Sequence, residues 1–499
     1  MATGTVQITI LDGGGAAVVV PGATVQLIMG ICSGGVANQI IATQNPNTLV
    51  TNLGYGPLVE AAALVTQSGG TVLAMKLPTV TAGSFQSGGV QFTGTGSSVI
   101  TATGTPYDTY YIQFVCVTGG TIGSTGITFK ISLDAGRNFG SVLTLGTAST
   151  YVIPNTGVTL NFAAGTLVAA DQGLIGTIEP LWNDAGVEAG LKAFQASPYA
   201  IGGVGSMLLV GTCAASDTST VDTLGMTVLQ NGYVFNRLIE NCRDAAAPVA
   251  YGGAGETEAA WMASIETAFS AVSAERASVS AGFYNMPSVF LNPAGGSPAY
   301  RRPLSWTLAC REVTIPPQRH AGRVKDGPLA QIVINTITAG SDGFVYHDER
   351  LNPGLDAARF NSAWTRIGLP GFYDVNPNLM SPPTSSFPIL PLGNVMDVAC
   401  DIVHQIGQTE IDSDIRLNQN GTIYENDARA IEAVISAALQ ANMLSTQMIS
   451  GFTVTVDRTN NIAVTSTVNV TITINPRGYI EEVAVTIGFL STGQAGPNP

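Results

Sequence analysis

Few residues in this sequence are of types that do chemistry, and most stand alone. His347-Asp348-Glu349 sets an imidazole beside two carboxylates, the makings of a metal site or an acid–base pair. Consecutive side chains point different ways, however, and the chain has 3 histidines, whereas a zinc site converges three or four ligands. The cluster reads as a hydrogen-bonded turn tied to Arg350 or Arg359. Cys400 and His404 stand four apart on a predicted helix, half of a metal site at most. With no second pair nearby, two side chains packed on an apolar face is the simpler reading. Ser132-Leu133-Asp134-Ala135-Gly136-Arg137 would suit a ligand-binding loop, or a hairpin turn whose geometry Asp and Gly supply. Arg301-Arg302 is the one basic doublet and reads as a local salt-bridge anchor. The G-x-S-x-G elbow and the P-loop are absent from the sequence. Gly202-Gly203-Val204-Gly205 precedes a strand instead of following one, against a dinucleotide loop. No motif assembles a nucleophile, a base and an oxyanion hole. The expectation is a protein that is not an enzyme and needs no cofactor or metal.

The elements that must position these residues are more legible. Residues 466–490 hold two alternating runs joined at Asn475-Pro476-Arg477-Gly478. Val468, Val470, Ile472 and Ile474 share a face in the first, and Val483, Val485, Ile487 and Phe489 in the second. A terminal strand must pair with something, because buried backbone donors and acceptors are not left bare. Residues 5–11 mirror it, with Val6, Ile8 and Ile10 alternating before Gly13-Gly14-Gly15. Residues 24–77 read as a β-α-β unit whose helix opens at Pro57 and closes at Gly69-Gly70. From 83 to 180 short strands alternate with glycine turns, an inserted β-sandwich. Beyond it come a strand at 206–212, helical sequence over 219–243, and an amphipathic helix over 256–276 with Trp261, Ile265, Phe269 and Val272 on one face. Residues 323–337 lead into a strand, and a stretch of turns and prolines runs from 352 to 391. Helices follow at 395–406 and about 427–445, the second capped by Asn426 with Ile431, Val434, Ile435, Ala438 and Leu439 as its stripe. A strand at 451–457 precedes the final pair. The fold class is α/β (α+β), multidomain, a mixed-sheet core with helices plus an all-β sandwich.

Composition narrows the function. Only 11% of the 499 residues are charged, against about 25% in an average domain, and the net charge is −14. Such acidity argues against nucleic acid, which needs a basic stripe. No run of 18 apolar residues suggests a membrane span, and residues 1–11 lack the basic start of a secretory signal. The six cysteines are far apart, which fits reduced, buried thiols made in a cytoplasm. A sparsely charged chain rich in Gly, Thr and Val fits β-proteins that bury surface against copies of themselves, and equally an ordinary secreted β-protein.

Several ordered motifs resemble the tail sheath proteins of contractile phage tails and related contractile injection systems. They are Gly56-Pro57-Leu58 before a helix, Arg301-Arg302-Pro303, and His347-Asp348-Glu349 followed by Leu355-Asp356 and Arg359-Phe360. Gly421-Thr422-Ile423-Tyr424-Glu425 before a long helix comes next, then Pro476-Arg477-Gly478-Tyr479-Ile480-Glu481-Glu482 running into VAVTIGF. The resemblance covers most of residues 1–80 and 181–499. The Gly/Pro tail beyond Phe489 and a short N-terminal arm depart from it. It implies a subunit of stacked hexameric rings around an inner tube, which contract to drive the tube through a cell envelope. The domains would be an N-terminal exchange arm (1–15), a first core part (16–82), the sandwich (83–180) on the outer surface, an α/β domain (181–340), a tube-facing C-terminal domain (341–478) and a C-terminal exchange arm (479–499). Intersubunit strand exchange would fall to Val6, Ile8, Ile10, Val483, Val485, Ile487 and Phe489, with hinges at Gly13, Gly14, Gly15, Pro476 and Gly478. Partners would be other copies, an inner tail tube protein, and baseplate and tail terminator proteins. Direct nucleic-acid contact and membrane insertion are not expected, and the place would be a virion tail assembled in the host cytoplasm. A carbohydrate-binding surface protein acting through the sandwich is the alternative, and a hydrolase using His347, Asp348 or Glu349 a third reading.

Overall fold

The computed structural model describes residues 25–200, 205–290, 298–333, 343–480 and 484. From residue 25 the chain forms β1 (Val25–Gly30), β2 (Ile40–Thr43), α1 (Pro46–Leu53), α2 (Pro57–Gln67) and β3 (Thr71–Lys76). β3 runs parallel to β1, with Val25 opposite Thr71 and Gly30 opposite Lys76. This is the expected β-α-β unit, enlarged by α1 and by β2, which is antiparallel to β3. Gly56 caps α2 at φ 135°, where a Cβ would come within 3.1 Å of both the Cys32 Cα and the Tyr107 carbonyl. Only glycine lets the helix start this close to its neighbours.

Residues 84–178 form the β-sandwich. Its strands are β4 (Ser84–Phe85), β5 (Gln91–Thr93), β6 (Ile100–Gly104), β7 (Tyr111–Thr118), β8 (Gly120–Thr121), β9 (Thr128–Ser132), β10 (Leu143–Thr144), β11 (Thr150–Ile153), β12 (Val158–Phe162), β13 (Thr166–Leu167) and β14 (Gln172–Ile178). The larger sheet is ordered β10-β9-β7-β14-β4, with β5 also on β14, and the smaller β11-β12-β6. Alternate residues point inward, so Ile112, Phe114, Phe129, Leu160 and Phe162 meet in one core. Thr81 bridges Leu181, so entry and exit lie side by side and the sandwich hangs from a two-stranded neck.

The chain then resumes with α3 (Asp184–Gln195), β15 (Met207–Thr212), α4 (Ala215–Leu224), β16 (Leu238–Asn241), α5 (Glu258–Phe269) and β17 (Ala277–Ser280). These complete a six-stranded sheet, β17-β16-β15-β1-β3-β2, parallel except for β2. Alternation along the strands splits the core. Ile28, Val72, Leu208 and Ile239 face one layer, while Leu27, Leu73, Met207 and Leu238 face the layer holding α3. Burial on both faces is the usual condition of a parallel sheet. The helix expected over 219–243 is a correction. α4 begins at Ala215, continues through a π turn and a 3-10 turn to Gly232, and gives way to β16. Charges at Arg237, Glu240 and Arg243 give the stretch a helical spacing, but Glu240 is buried and accepts the Thr218 hydroxyl at 2.7 Å.

The remainder contains β18 (Phe283–Pro287) paired with β19 (Ala299–Pro303), α6 (Leu304–Glu312), β20 (Ala363–Thr365) paired with β21 (Phe372–Asp374), α7 (Leu390–Glu410), α8 (Glu425–Leu439), β22 (Gly451–Val456), α9 (Ile462–Thr465) and β23 (Val470–Asn475). A short hairpin thus interrupts the proline-rich stretch, and α7 is longer at both ends than its pattern suggests. The strand to which residues 323–337 lead falls outside the described residues. α8 is capped by Tyr424, not Asn426, which lies inside its first turn. Of its stripe, Ile435 and Leu439 are buried, whereas Val434 is 46% exposed.

Candidate functional site

The catalytic-looking clusters are tied into the fold. His347 is buried, with Nδ1 2.9 Å from Glu258 on α5 and Nε2 2.8 Å from Glu349. Burial opposes the imidazolium, but bonds to Glu258 and Glu349 outweigh it and hold the His347 pKa above its ordinary value. Glu349 is lowered in turn. Burial works against its charge, while His347 and the Gly354 and Asp356 amides favour it. Asp348 turns away to accept the Arg350 and Thr365 amides and the Thr365 hydroxyl. The expected tie to Arg350 is made by its backbone amide, on Asp348, and the two arginine side chains go elsewhere. Arg350 donates to the Thr365 hydroxyl and Arg359 to the Met380 and Ser381 carbonyls. The His347 partner is a carboxylate 89 residues away.

Cys400 and His404 do not form a pair. Cys400 is buried near Asp397, Asp401, Arg237 and Arg276, and the His404 ring stacks on Tyr233 with centroids 4.1 Å apart. Among the described residues no group of three His, Cys, Asp or Glu side chains could hold a metal ion. All six cysteines are free thiols and buried. Ala135 and Gly136 in the 132–137 segment have positive φ, as a tight turn requires. Its polar groups point into the protein. The Asp134 carboxylate accepts from Ser132, Asn138 and the Ala299 amide, and Arg137 donates to the Tyr346 hydroxyl. Arg302 beside it donates to both oxygens of Asp108 at 2.8 and 2.6 Å, and Arg301 grips Asp244 the same way. The bonds of Asp108, Asp134 and Arg137 clamp the sandwich against the body, and the 132–137 loop is part of the clamp.

The feature with unused bonding capacity is β22–β23. The two strands are antiparallel from Gly451 opposite Asn475 to Val456 opposite Val470. Phe452, Val454, Val470, Ile472 and Ile474 point to the core with Ile431, Ile435 and Leu439 of α8. Thr453, Thr455, Thr471 and Thr473 are exposed on the other face. Val468–Ile474 alternation therefore sets which face is buried, and the described partner strand is 451–456. Among the described residues neither strand has a second strand partner. Arg458 fixes the sheet to α8 through Glu432 and Glu425, and the Val456 amide donates to Glu432. Beyond Asn475 the chain leaves the sheet. Arg477 donates to the Gln447 carbonyl and Tyr479 to the Gln318 carbonyl.

Two halves of one family match this chain in order: DUF2586, N-terminal domain, over residues 3–376, and DUF2586, C-terminal domain, over residues 394–494. The chain belongs to the DUF2586 family. No curated protein matches it. In overall course this DUF2586 chain is similar to two solved structures described as sheath tail proteins. The one from Desulfitobacterium hafniense is 10% identical, with a TM-score of 0.44 over 91% of this chain and 93% of that one. The one from Listeria innocua is 12% identical, with a TM-score of 0.46 over 92% and 93%.

Of the residues expected to exchange strands, Val6, Ile8, Ile10, Val483, Val485, Ile487 and Phe489 lie outside the described part of this DUF2586 member, as do Gly13, Gly14 and Gly15. Pro476 and Gly478 are described and exposed, in extended chain between β23 and the Tyr479 anchor. Sequence reasoning missed the pairing of β22 with β23. The signal was present, since threonines alternating with Val and Ile at both 452–456 and 470–474 mark a sheet with one face on the core and one left open.

Proposed function

We propose that this chain is the structural subunit of a contractile tail sheath, joined to its neighbours by strand exchange. The observation that supports this best is the two-stranded β22–β23 sheet, to which no third strand is paired among the described residues, at the place where the chain leaves toward its alternating terminal run. An isolated pair of strands is marginal, and added strands complete it. A six-residue edge offers about three further ladder bonds, each worth ~0.5–1.5 kcal/mol net. Burying Val483, Val485, Ile487 and Phe489 would add at most ~1.5–3 kcal/mol each. The ordered motifs that resemble tail sheath proteins agree with this reading.

In this reading copies form stacked hexameric rings around an inner tube and contract to drive it through an envelope. Residues 1–15 and 479–499 are the arms. The sandwich clamped by Arg302 and Asp108 faces outward, and the body around α7 and α8 faces the tube. The remaining partners are baseplate and terminator proteins, and the place is a virion tail or a contractile injection particle. Full-length protein should form rings or tubes in negative-stain micrographs. A chain lacking residues 480–499 should stay folded and form no long tubes. Normal polymerisation by the truncated chain would refute the exchange.

A further inference from the structure

We infer that a basic cleft beside the exit of the C-terminal segment is a socket for the acidic turn 410–414 of a second copy of this chain. The inference rests on the lattice reading above and names one of its contacts. The cleft encloses about 960 Å³ and is lined by Arg319, Arg323, Lys325, Arg366 and Arg477, with Tyr479 and Ile480 at one side. Five of the 20 basic residues of a chain with net charge −14 therefore face one hollow. Asp326 answers two of them, Arg323 at 3.0 Å and Arg319 at 3.6 Å. The Arg366 guanidinium lies over the Trp364 ring at 4.2 Å and has no carboxylate partner among the described residues. Arg477 has the Gln447 carbonyl, and Lys325 is exposed. Ile480 in the lining is 85% exposed. Arginines beside aromatic and exposed aliphatic side chains are the composition favoured at protein interfaces.

The complement sits on the same chain. A helix C-terminus carries partial negative charge and favours cations, yet the last turn of α7 holds no basic residue and ends at Glu410. Asp412, at φ 60°, and Asp414 follow at once and are exposed. The nearest cation along the chain, Arg416, is engaged by Asp427. Three carboxylates thus crowd a negative helix end without an ion-pair partner among the described residues. No hydrogen bond or ion pair joins this turn to the cleft within the subunit. A knob and a hollow of opposite charge on different parts of one surface make a head-to-tail contact, which repeats from copy to copy instead of closing a dimer.

The test uses full-length protein in two charge-reversed forms, Arg323→Glu with Lys325→Glu and Asp412→Lys with Asp414→Lys. All four positions are exposed, and unchanged thermal melts will show that the variants fold. Each variant alone should need at least ten times the native concentration to assemble at 0.15 M salt, read by sedimentation velocity and microscopy. A one-to-one mixture should recover assembly, because the reversed socket then meets a reversed turn. Raising salt to 0.5 M should narrow the gap between native and variant protein. Variants that assemble like native protein, or a mixture that rescues nothing, would overturn the contact while native assembly leaves the sheath reading standing. Native protein that stays monomeric at every concentration would overturn both.

Discussion

Replacing Arg302 by alanine tests how the sandwich is held. Arg302 in β19 donates to both oxygens of Asp108 in the insertion, and both side chains are buried. Burial opposes the guanidinium charge, but Asp108 more than offsets this and raises the Arg302 pKa above its usual range. The same cation partly offsets the burial that pushes buried Glu60 up to about 7. Removing one member of a buried pair costs about 3–5 kcal/mol, because the other charge is left uncompensated. That is a large share of the ~5–15 kcal/mol that holds a whole domain. If stranded charge is the cause, proton uptake relieves it, and the loss should shrink by up to about 1.4 kcal/mol per pH unit as the buffer is acidified from pH 7. Arg302→Met with Asp108→Leu removes both charges and should recover most of the stability. Urea unfolding followed by tryptophan fluorescence suits the assay, because the Trp306 ring lies 4.9 Å from the Arg302 guanidinium. Limited proteolysis near residues 80 and 181 reports release of the neck. Native stability in Arg302→Ala at pH 7, or a loss equal at pH 7 and pH 5, would refute the reasoning.

Burial holds Glu312 up to about 8, only partly offset by the Asn394 amide, so the native state keeps a proton that the unfolded chain releases from about pH 4.5 upward. Glu312→Gln should therefore gain up to about 4 kcal/mol over native protein at pH 8 and almost nothing at pH 5, measured by urea unfolding. His347→Ala should lose about 3 kcal/mol at pH 6. The raised His347 contributes fully below about 6.5, and the loss should fade as pH rises through its folded pKa. The lowered Glu349 contributes above about 4.5, so the effect also wanes in acid; a loss flat from pH 6 to 9 would count against the ion pair. Preassembled full-length polymer should stay polymeric in 1 M salt, where screening reaches within about 3 Å. Release of monomers on that transfer, measured by sedimentation, would show that ion pairs and not strands hold the lattice.

Periodicity made the one-sided elements legible. α5 buries Trp261, Ile265 and Phe269 as its spacing requires, and β23 buries the face that Val470, Ile472 and Ile474 mark. β16 was not legible, because Glu240 sits in a fully buried strand and its partner Thr218 comes from another element. Val434 shows the same limit from the other side. It belongs to the apolar arc of α8, but β22–β23 covers only the part of that arc around Ile435 and Leu439. Long-range partners escaped altogether. Glu258 is 89 residues from His347, and Asp108 is 194 from Arg302, separations over which no local pattern carries information.

The direction in which bonds are satisfied separates the catalytic reading from the structural one. A general acid or base must present a group to a substrate, and a metal site must leave donors convergent. His347 has a carboxylate on each ring nitrogen, Asp348 is enclosed by Thr365 and Arg350, and Asp134 is surrounded by three donors from its own chain. Each brings distant segments together, so each is explained by the fold it holds. Among the described residues the capacity left over lies at β22–β23, where no third strand is paired, and in the cleft, where cations outnumber anions. A bare strand edge takes another strand, and a charged hollow with an aliphatic rim takes a protein surface. In the proposed reading one polypeptide partner serves both, because a second copy of this chain carries the alternating run for the edge and the acidic turn for the cleft.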